Sequence, residues 1–177
     1  MKAIVIERYG PPDVLKLAEV DKPVPRADQV LIKVRAASLN AFDWHMLQPD
    51  PSMVRLMGGG LLKPKNRILG ADMAGRVEAA GANANQFKPG DEVFGDLARW
   101  GCGTCAEYVC APEKALVPRP GNMTFEQAAA APMAALTALQ GLRDKGPVRK
   151  GQKVLVNGAS GGVGTFAVQL AKFFAAE

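Results

Sequence analysis

Hydrophobic residues follow two different spacings along this chain, and the change falls near residue 122. Before it, apolar side chains alternate with polar ones or form short runs, as in KAIVIERY at residues 2–9 and VLIKVRAAS at residues 30–38. Such spacing is typical of β-strands. Prolines and Gly-Asp pairs recur between these runs, as is usual in turns. The pattern predicts a compact, barrel-like β domain over residues 1–122.

One stretch interrupts the β pattern, LNAFDWHMLQPDPSMVRLMGGGLLKPKN at residues 39–66. Its glycines and prolines predict a long loop with a single helical turn. Long loops held on a rigid scaffold often line binding sites, so this segment is a candidate for one.

Helical spacing dominates after residue 122. Thr124, with a glutamine three residues later, has the pattern of a capping box and predicts the start of a helix. Pro132 is expected to begin a second helix, and Gly146 is expected to end it. The pattern then predicts a short strand at 153–157 and a helix at 161–177. That last helix is apolar on most sides, so the sequence predicts that a large neighbouring structure covers it.

A glycine cluster, NGASGGVG at 157–164, joins the last predicted strand to the last predicted helix. In this context the cluster is expected to bind the pyrophosphate of a dinucleotide. Gly161 and Gly162 would let the backbone approach the phosphates, and Gly164 would let the helix pack against the strand. The helix N-terminus would attract their charge. The alternative is a glycine-rich turn in another strand-to-helix unit, because Ala159 replaces the usual first glycine.

The composition is that of a folded globular protein. The 177 residues are 48% hydrophobic and 22% charged, which disfavours disorder. A net charge of +5 is spread along the chain, so no nucleic-acid partner is expected. The densest basic stretch, at 143–153, also contains Asp144. It is expected to be a solvated loop, with an anion-attracting rim as the alternative.

The apolar runs of the sequence are too short for a signal peptide or a membrane span, so no membrane partner is expected. The chain has three cysteines, and an odd number favours reduced thiols over a disulfide framework. We therefore expect a cytoplasmic protein.

Several segments, taken in order, resemble the first half of a medium-chain dehydrogenase/reductase of the zinc-independent, quinone oxidoreductase-like branch. They are MKAIVIERYGPPDVLKL, VLIKVRAASLNAFDW, ILGADMAGRVEAAG, FKPGDEVFG, AEYVCAPE, PMAALTALQGL and GQKVLVNGASGGVGTFAVQLAK. The resemblance implies a mainly β fold with an α/β C-terminal part. A GroES-like β-barrel, the catalytic domain, would occupy 1–122. Linking helices and the truncated start of a Rossmann fold would occupy 123–177, with NADPH or NADH bound in the cleft between the domains.

The resemblance also implies that there is no catalytic zinc. In the zinc-dependent branch the metal is held by a Cys, a Gly-His-Glu and a later Cys or Asp. Here Asn40 lies close to the position of that first Cys, and Ala71 and Asp72 replace the His-Glu pair. Alanine cannot bind zinc, and Asp43 with Asp72 does not complete a ligand set. We therefore expect no metal site.

Cys102 and Cys105 form a CGTC motif that could suggest a metal or a redox pair. A structural zinc needs four ligands, and Cys110 would supply only a third. The single histidine, His45, is far from these cysteines in the sequence, so it is not expected to be the fourth ligand. We expect its side chain to pack in a loop, and the alternative role is to donate a proton in the cleft. Ordinary thiols are the expected state of the cysteines, and metal binding and a redox pair are the alternatives.

The resemblance implies two groups of site residues. Asn40 and Asp43 are expected to be catalytic, and Asn40 would lie near the nicotinamide, where it can hydrogen-bond the cofactor or a substrate carbonyl. Thr137 would also lie near the nicotinamide. The residues expected to bind the rest of the cofactor are Ser160, Gly161, Gly162, Val163 and Gly164. The alternatives are that Asn40 only caps a turn and that Thr137 only bonds its own helix backbone.

The implied reaction is hydride transfer from NAD(P)H to a quinone or an α,β-unsaturated carbonyl. A dinucleotide fold needs about six parallel strands, so the chain is expected to be truncated and inactive alone. A homo-oligomer or a complementing chain would then cover the incomplete unit. The alternative is a noncatalytic GroES-like module for binding or oligomerisation.

Overall fold

The computed structural model describes residues 1–49, 60 and 62–177. Its internal contacts divide the chain into two compact units, Met1–Ala130 and Ala131–Glu177. Strands make up most of the regular structure of the first unit, and helices make up that of the second. The domain boundary expected after residue 122 stays a prediction.

A five-stranded antiparallel sheet is the centre of the first unit. Its strands, in spatial order, are β6 (Tyr108–Pro112), β3 (Gln29–Ala37), β4 (Asp72–Ala80), β5 (Glu92–Asp96) and β7 (Val117–Pro118). A separate antiparallel pair is formed by β1 (Lys2–Val5) and β2 (Lys16–Glu19). Isolated bridges from Ala3 to Ala106 and from Val5 to Ile68 connect β1 to other parts of this unit.

The core of the first unit is built from the apolar positions of these strands. In β3, Val30 and Ile32 are buried while Lys33 and Arg35 are exposed, as expected for a strand with one face on the core. The buried cluster around them consists of Val30, Ile32, Met73, Val77, Phe87, Val93, Leu97, Val109, Ala111 and Leu116. The β structure predicted from hydrophobic alternation is thus confirmed for this unit.

A capping box begins helix α2 (Phe125–Ala130), as the sequence predicts. The Thr124 N–H donates to Gln127 Oε1 at 2.9 Å, and the Gln127 N–H donates to Thr124 Oγ1 at 3.2 Å. Ala128 and Ala129 then pack against Ala74 of β4. Small side chains on both sides allow the helix to lie close to the sheet.

Helix α1 (Ala41–Leu47) lies within the stretch that interrupts the β pattern. It has seven residues, so the single helical turn predicted there is too short. The longer helix is stabilised at its start by Asn40, whose N–H donates to the Asp43 carboxylate one turn later. The remainder of the predicted loop falls partly on residues 50–59 and 61, which lie outside the described residues.

The second unit contains α3 (Pro132–Leu139), which continues into a π-helical turn (Gln140–Lys145), and α4 (Gly162–Phe173). The expected helix start at Pro132 and helix end at Gly146 are both confirmed. Within the described residues, no helix combines the length and the apolar character that a membrane span requires.

The strand predicted at 153–157 is wrong, because no strand is assigned there. A strand is defined by hydrogen bonds to a neighbour, and in the described part of the chain no neighbouring strand pairs with this segment. Instead, the Val154 N–H donates to the Glu177 carbonyl at 2.8 Å. The predicted helix at 161–177 ends earlier, at Phe173, and Ala175 follows in the left-handed conformation with φ +56°.

Candidate functional site

Polar side chains cluster where β3 ends and α1 begins. Asn40 is the N-cap of α1, and its backbone N–H donates to Asp43 Oδ2 at 2.8 Å. Its side-chain Nδ2 donates to Ser38 Oγ at 3.2 Å and to Asp72 Oδ2 at 3.1 Å. The Ser38 hydroxyl in turn donates to Asp72 Oδ2 at 3.4 Å. The fold therefore brings the two predicted catalytic residues, Asn40 and Asp43, together.

Asp72 determines the orientation of the Asn40 amide. This carboxylate lies on β4 and is fully buried. Its Oδ2 is the acceptor for both Ser38 and Asn40, so the nitrogen of the amide, not its oxygen, faces Asp72. Both amide hydrogens of Asn40 are then engaged within the protein. Asn40 caps helix α1, whereas its alternative role was to cap a turn, and its contact with a cofactor or substrate stays a prediction.

Asp43 is the buried acid of this cluster, with 5% of its surface exposed. Burial raises its pKa above the ordinary value; the N–H groups of Asn40 and Gly70 oppose this shift, and the charge of Asp96 adds to it. Its Oδ1 atom is buried and has no hydrogen-bond partner among the described residues. A buried charged oxygen without a partner is destabilising, and protonation of the carboxyl group would lower that cost by removing its charge.

An apolar pocket of about 560 Å³ adjoins Asp43 within the first unit. This volume lies in the range of small-molecule sites. Trp44 is 49% exposed, so part of the lining is open to solvent. The lining residues are Ile4, Pro12, Leu15, Leu39, Asn40, Asp43, Trp44, Leu47, Leu69 and Cys105. The pocket thus offers a hydrophobic wall together with the polar side chains of the two predicted catalytic residues.

The cysteines near this pocket are thiols at neutral pH. Burial raises the pKa of Cys102 to about 12 and that of Cys105 to about 11, and the Asp43 charge contributes to both shifts. Thiolates are the reactive and metal-binding form of cysteine, so these surroundings favour the expected ordinary thiols. Among the described residues, no group of three or more His, Cys, Asp or Glu side chains could hold a metal. The expected absence of zinc stays a prediction.

In the second unit, Gly158 and Gly164 shape the turn that precedes α4. Gly158 has φ +73°, a left-handed conformation that favours glycine. A Cβ on Gly164 would lie 2.1 Å from Gly158 O and 2.7 Å from the Ala159 Cα. Gly164 therefore allows the first turn of α4 to contact the preceding loop, whereas the sequence suggested contact between the helix and a strand.

Gly161 and Gly162 are less crowded than Gly164: a Cβ on Gly161 would lie 3.4 Å from Gly158 O. Gly161 has φ −79°, and a Cβ on Gly162 would come no closer than 3.9 Å to its nearest neighbour, Ala134. A groove of about 530 Å³, with both glycines in its lining, runs along the turn. The first N–H groups of an α-helix have no acceptor inside the helix. The turn therefore fits the pyrophosphate group of a dinucleotide.

The other predicted cofactor residues also lie in the second unit. Thr137 is exposed on α3, and its Oγ1 donates to the Met133 carbonyl at 2.7 Å. This is the backbone contact that its alternative role predicts. Ser160 and Val163 are exposed on the turn and in the first turn of α4. Cofactor binding by Thr137, Ser160 and residues 161–164 stays a prediction.

Sequence reasoning noted Gly158 only as the glycine before Ala159 and assigned it no role, and it missed the contact between Asp72 and Asn40. The Asn-Gly pair at 157–158 is a known turn signal and could have identified Gly158. The contact between Asp72 and Asn40 had no local signal, because 32 residues separate them. It depends on the antiparallel pairing of β3 with β4, which places Ala37 opposite Met73.

Comparisons with known proteins agree with this architecture. The family profile of the alcohol dehydrogenase GroES-like domain matches residues 26–121. A chloroplastic quinone-oxidoreductase homolog from Spinacia oleracea is 39% identical over 183 residues, which are 97% of this chain and 52% of that protein. The solved quinone oxidoreductase from Coxiella burnetii has a TM-score of 0.89 and 38% identity, covering 99% of this chain and 54% of that one. Escherichia coli quinone oxidoreductase complexed with NADPH has a TM-score of 0.85 and 25% identity, and the match covers 100% of this chain and 51% of that one.

The chain belongs to the alcohol dehydrogenase GroES-like family, within the quinone oxidoreductase branch of the medium-chain dehydrogenases/reductases. The predicted fold class, a GroES-like β domain followed by the start of a Rossmann-like region, is confirmed. The chain spans about half the length of the relatives it matches, 52% for the spinach protein.

Proposed function

We propose that this chain takes part in the NAD(P)H-dependent reduction of a quinone or an α,β-unsaturated carbonyl. The names of its relatives support this reaction, and one related structure is a complex with NADPH. The observation that carries the proposal is the turn before α4, where Gly158 and Gly164 permit a tight loop beside an open helix N-terminus. This is the arrangement that receives a pyrophosphate in dinucleotide-binding folds.

The residues of the chain bind and orient the reactants. The backbone N–H groups of residues 161–164 would hold the pyrophosphate, and Thr137, also in the second unit, would contact the nicotinamide end. The reduced nicotinamide, when bound, supplies the hydride. The apolar pocket beside Asp43 would hold the ring of the acceptor and keep water away from it.

We propose that the reaction uses no zinc. Ala71 is buried and has no ligand atom where the zinc-dependent branch has a histidine. The raised pKa values of Cys102 and Cys105 also make their thiols weak zinc ligands at neutral pH. NADPH protection against thermal unfolding that persists after dialysis against a chelator, with less than stoichiometric zinc by elemental analysis, is the expected result. Loss of that protection which added zinc restores would contradict it.

We further propose that the 177-residue chain has little activity by itself. Leu155 is 96% exposed, and no strand in the described part of the chain pairs with its segment. A second copy or a complementing chain would cover this surface. A cytoplasmic location is also proposed, on the basis of three free thiols, and cell fractionation would test it.

The proposed function is tested by binding and turnover measured separately. NADPH is expected to raise the midpoint of thermal unfolding in a saturable way, since a ligand of the folded state stabilises it. Gly164→Ala should lose this protection, and Gly121→Ala, at a site with open space around it, should keep it. Quinone-dependent loss of NADPH absorbance then reports turnover.

The two measurements separate the possible outcomes. Protection with little turnover supports a cofactor site in a chain that is inactive alone. A well-folded chain that shows neither protection nor turnover would exclude the proposed function for this chain. The noncatalytic GroES-like module would then be the better description.

A further inference from the structure

The turn before α4 contains the only Asn-Gly pair of the sequence, Asn157 followed by Gly158. Asn157 is exposed, and both residues belong to the lining of the groove of about 530 Å³. Within the described structure, neither the Asn157 side chain nor the Gly158 N–H takes part in a hydrogen bond. Both groups are therefore free to react with each other.

An asparagine that precedes a glycine can lose its side-chain amide without the help of an enzyme. The backbone nitrogen of the glycine attacks the side-chain carbonyl carbon, and a succinimide ring closes. Glycine favours this reaction because it has no side chain to obstruct the attack and its backbone is free to adjust. The surroundings of Gly158 are also open, since a Cβ placed there would meet no atom within 4 Å.

We propose that Asn157 is a site of spontaneous deamidation, which places a carboxylate in the groove beside the start of α4. The Gly158 nitrogen forms a bond to Asn157 Cγ, the bond between Cγ and Nδ2 breaks, and ammonia leaves with the Gly158 amide proton. Water then opens the succinimide at either carbonyl and leaves aspartate or isoaspartate. One water is consumed and one ammonia is released, so the change needs no oxidant or reductant.

Two other asparagines serve as controls within the same molecule. Asn83 and Asn122 are exposed like Asn157, but Ala84 and Met123 follow them. The side chains of these following residues hinder ring closure. Exposure alone therefore predicts equal reaction at all three asparagines, whereas the Asn-Gly turn predicts reaction at Asn157.

The aspartate product changes the charge of the groove. The described residues that line the groove are all uncharged, so the new carboxylate would be the first ionised side chain in that lining. Repulsion between two like charges about 4 Å apart in water weakens binding by about 5-fold, and by more in less polar surroundings. The expected effect on NADPH rests on the proposed function, whereas the deamidation itself does not.

The isoaspartate product changes the shape of the turn. Its backbone runs through the side-chain carbon, which adds one atom before Gly158 and displaces the Gly158 carbonyl. That carbonyl accepts the Gly161 N–H at 3.0 Å and lies against Gly164. The Gly161 amide should therefore exchange about 2- to 12-fold faster in the isoaspartate form than in Asn157→Asp, the range that corresponds to one hydrogen bond.

Peptide mapping by mass spectrometry tests the chemistry directly. During incubation of the folded chain at constant pH and temperature, the peptide that contains residues 157–158 should gain about 1 Da. The peptides that contain Asn83 and Asn122 should keep their mass over the same period. Asn157→Gln should abolish the gain, because the longer side chain forms a cyclic imide far more slowly.

The same incubation in guanidinium chloride measures the rate without the turn. The folded chain should react within about 10-fold of this rate, the factor that corresponds to about 1.4 kcal/mol of local opening. Asn157→Asp supplies the aspartate product in pure form. It is expected to need about 5-fold more NADPH for the same thermal protection than Asn157→Gln, its uncharged counterpart.

Each part of the proposal has a result that would overturn it. A mass gain at residues 157–158 that is no faster than at Asn83 and Asn122, or that is more than about 10-fold slower than in the denatured chain, would exclude the deamidation site. Equal NADPH requirements in Asn157→Asp and Asn157→Gln would exclude the charge effect, and equal Gly161 exchange would exclude the change of shape. Absence of NADPH protection in the wild type would contradict the proposed function and the charge effect together, and the mass measurement would still decide whether Asn157 is modified.

Discussion

The contact between Gly164 and the preceding loop gives the sharpest test of the second unit. In Gly164→Ala the new Cβ would stand 2.1 Å from Gly158 O and 2.8 Å from Gly158 C. Both neighbours are backbone atoms, so no side-chain rotation can relieve the collision. The turn or the helix must move, and overpacking of this kind costs about 1–3 kcal/mol.

Gly162→Ala is the matched control for this substitution. It lies in the same first turn of α4, and its Cβ would make only an ordinary contact with Ala134 at 3.9 Å. Alanine is a better helix former than glycine by up to about 1 kcal/mol. The control is therefore expected to be neutral or slightly stabilising, and the two variants should shift stability in opposite directions.

Hydrogen exchange of the amides in 162–173 measures the difference locally. A loss of about 1–3 kcal/mol corresponds to exchange that is about 5- to 150-fold faster in Gly164→Ala. Amides of the β3–β4 pair in the first unit serve as the internal reference and should not change. Equal protection in the Gly164→Ala and Gly162→Ala chains would refute the steric account of this turn.

Three further predictions concern single positions. Gly158→Ala should destabilise the chain by about 1–2 kcal/mol, because the backbone at residue 158 is left-handed. Gly158→Asn should cost less, because asparagine adopts this conformation more readily, and thermal unfolding compares the two variants. Thr124→Ala should cost about 1 kcal/mol through loss of the α2 cap, and Thr124→Ser should retain most of that stability. Folding raises the pKa of Asp43, so the protonated carboxyl group stabilises the folded state. This contribution is complete below the ordinary pKa of about 3.9, and it is lost as pH rises through the raised pKa. Urea unfolding at several pH values should show this loss in the wild type and not in Asp43→Asn.

The sequence predicted best where a local rule decides the structure. Thr124 and Gln127 form the capping box that their spacing indicates, and Pro132 starts α3. Both features depend on residues within one helical turn. The alternation in β3 likewise identified buried positions such as Val30 and Ile32 without knowledge of the partner strand.

Sequence reasoning failed where structure depends on partners that are distant in the chain. Residues 153–157 have the composition of a strand, but a strand forms only against a neighbour, and the described residues provide none. The polar cluster at Asn40 depends on Asp72, which pairing of β3 with β4 brings beside it. The pocket beside Asp43 likewise combines residues from 4 to 105. No periodicity along a single segment could have predicted these arrangements.

The two edges of the five-stranded sheet have a consequence for the behaviour of the chain in concentrated solution. The outer strands are short, five residues in β6 and two in β7, and each ends in a proline, Pro112 or Pro118, which has no N–H to donate. Such edges resist the addition of a strand from another molecule, which is how many β proteins aggregate. The apolar segment around Leu155 has no such protection. Aggregation is therefore expected to begin at 153–157 and not at the sheet, and a charged residue in place of Leu155 should suppress it.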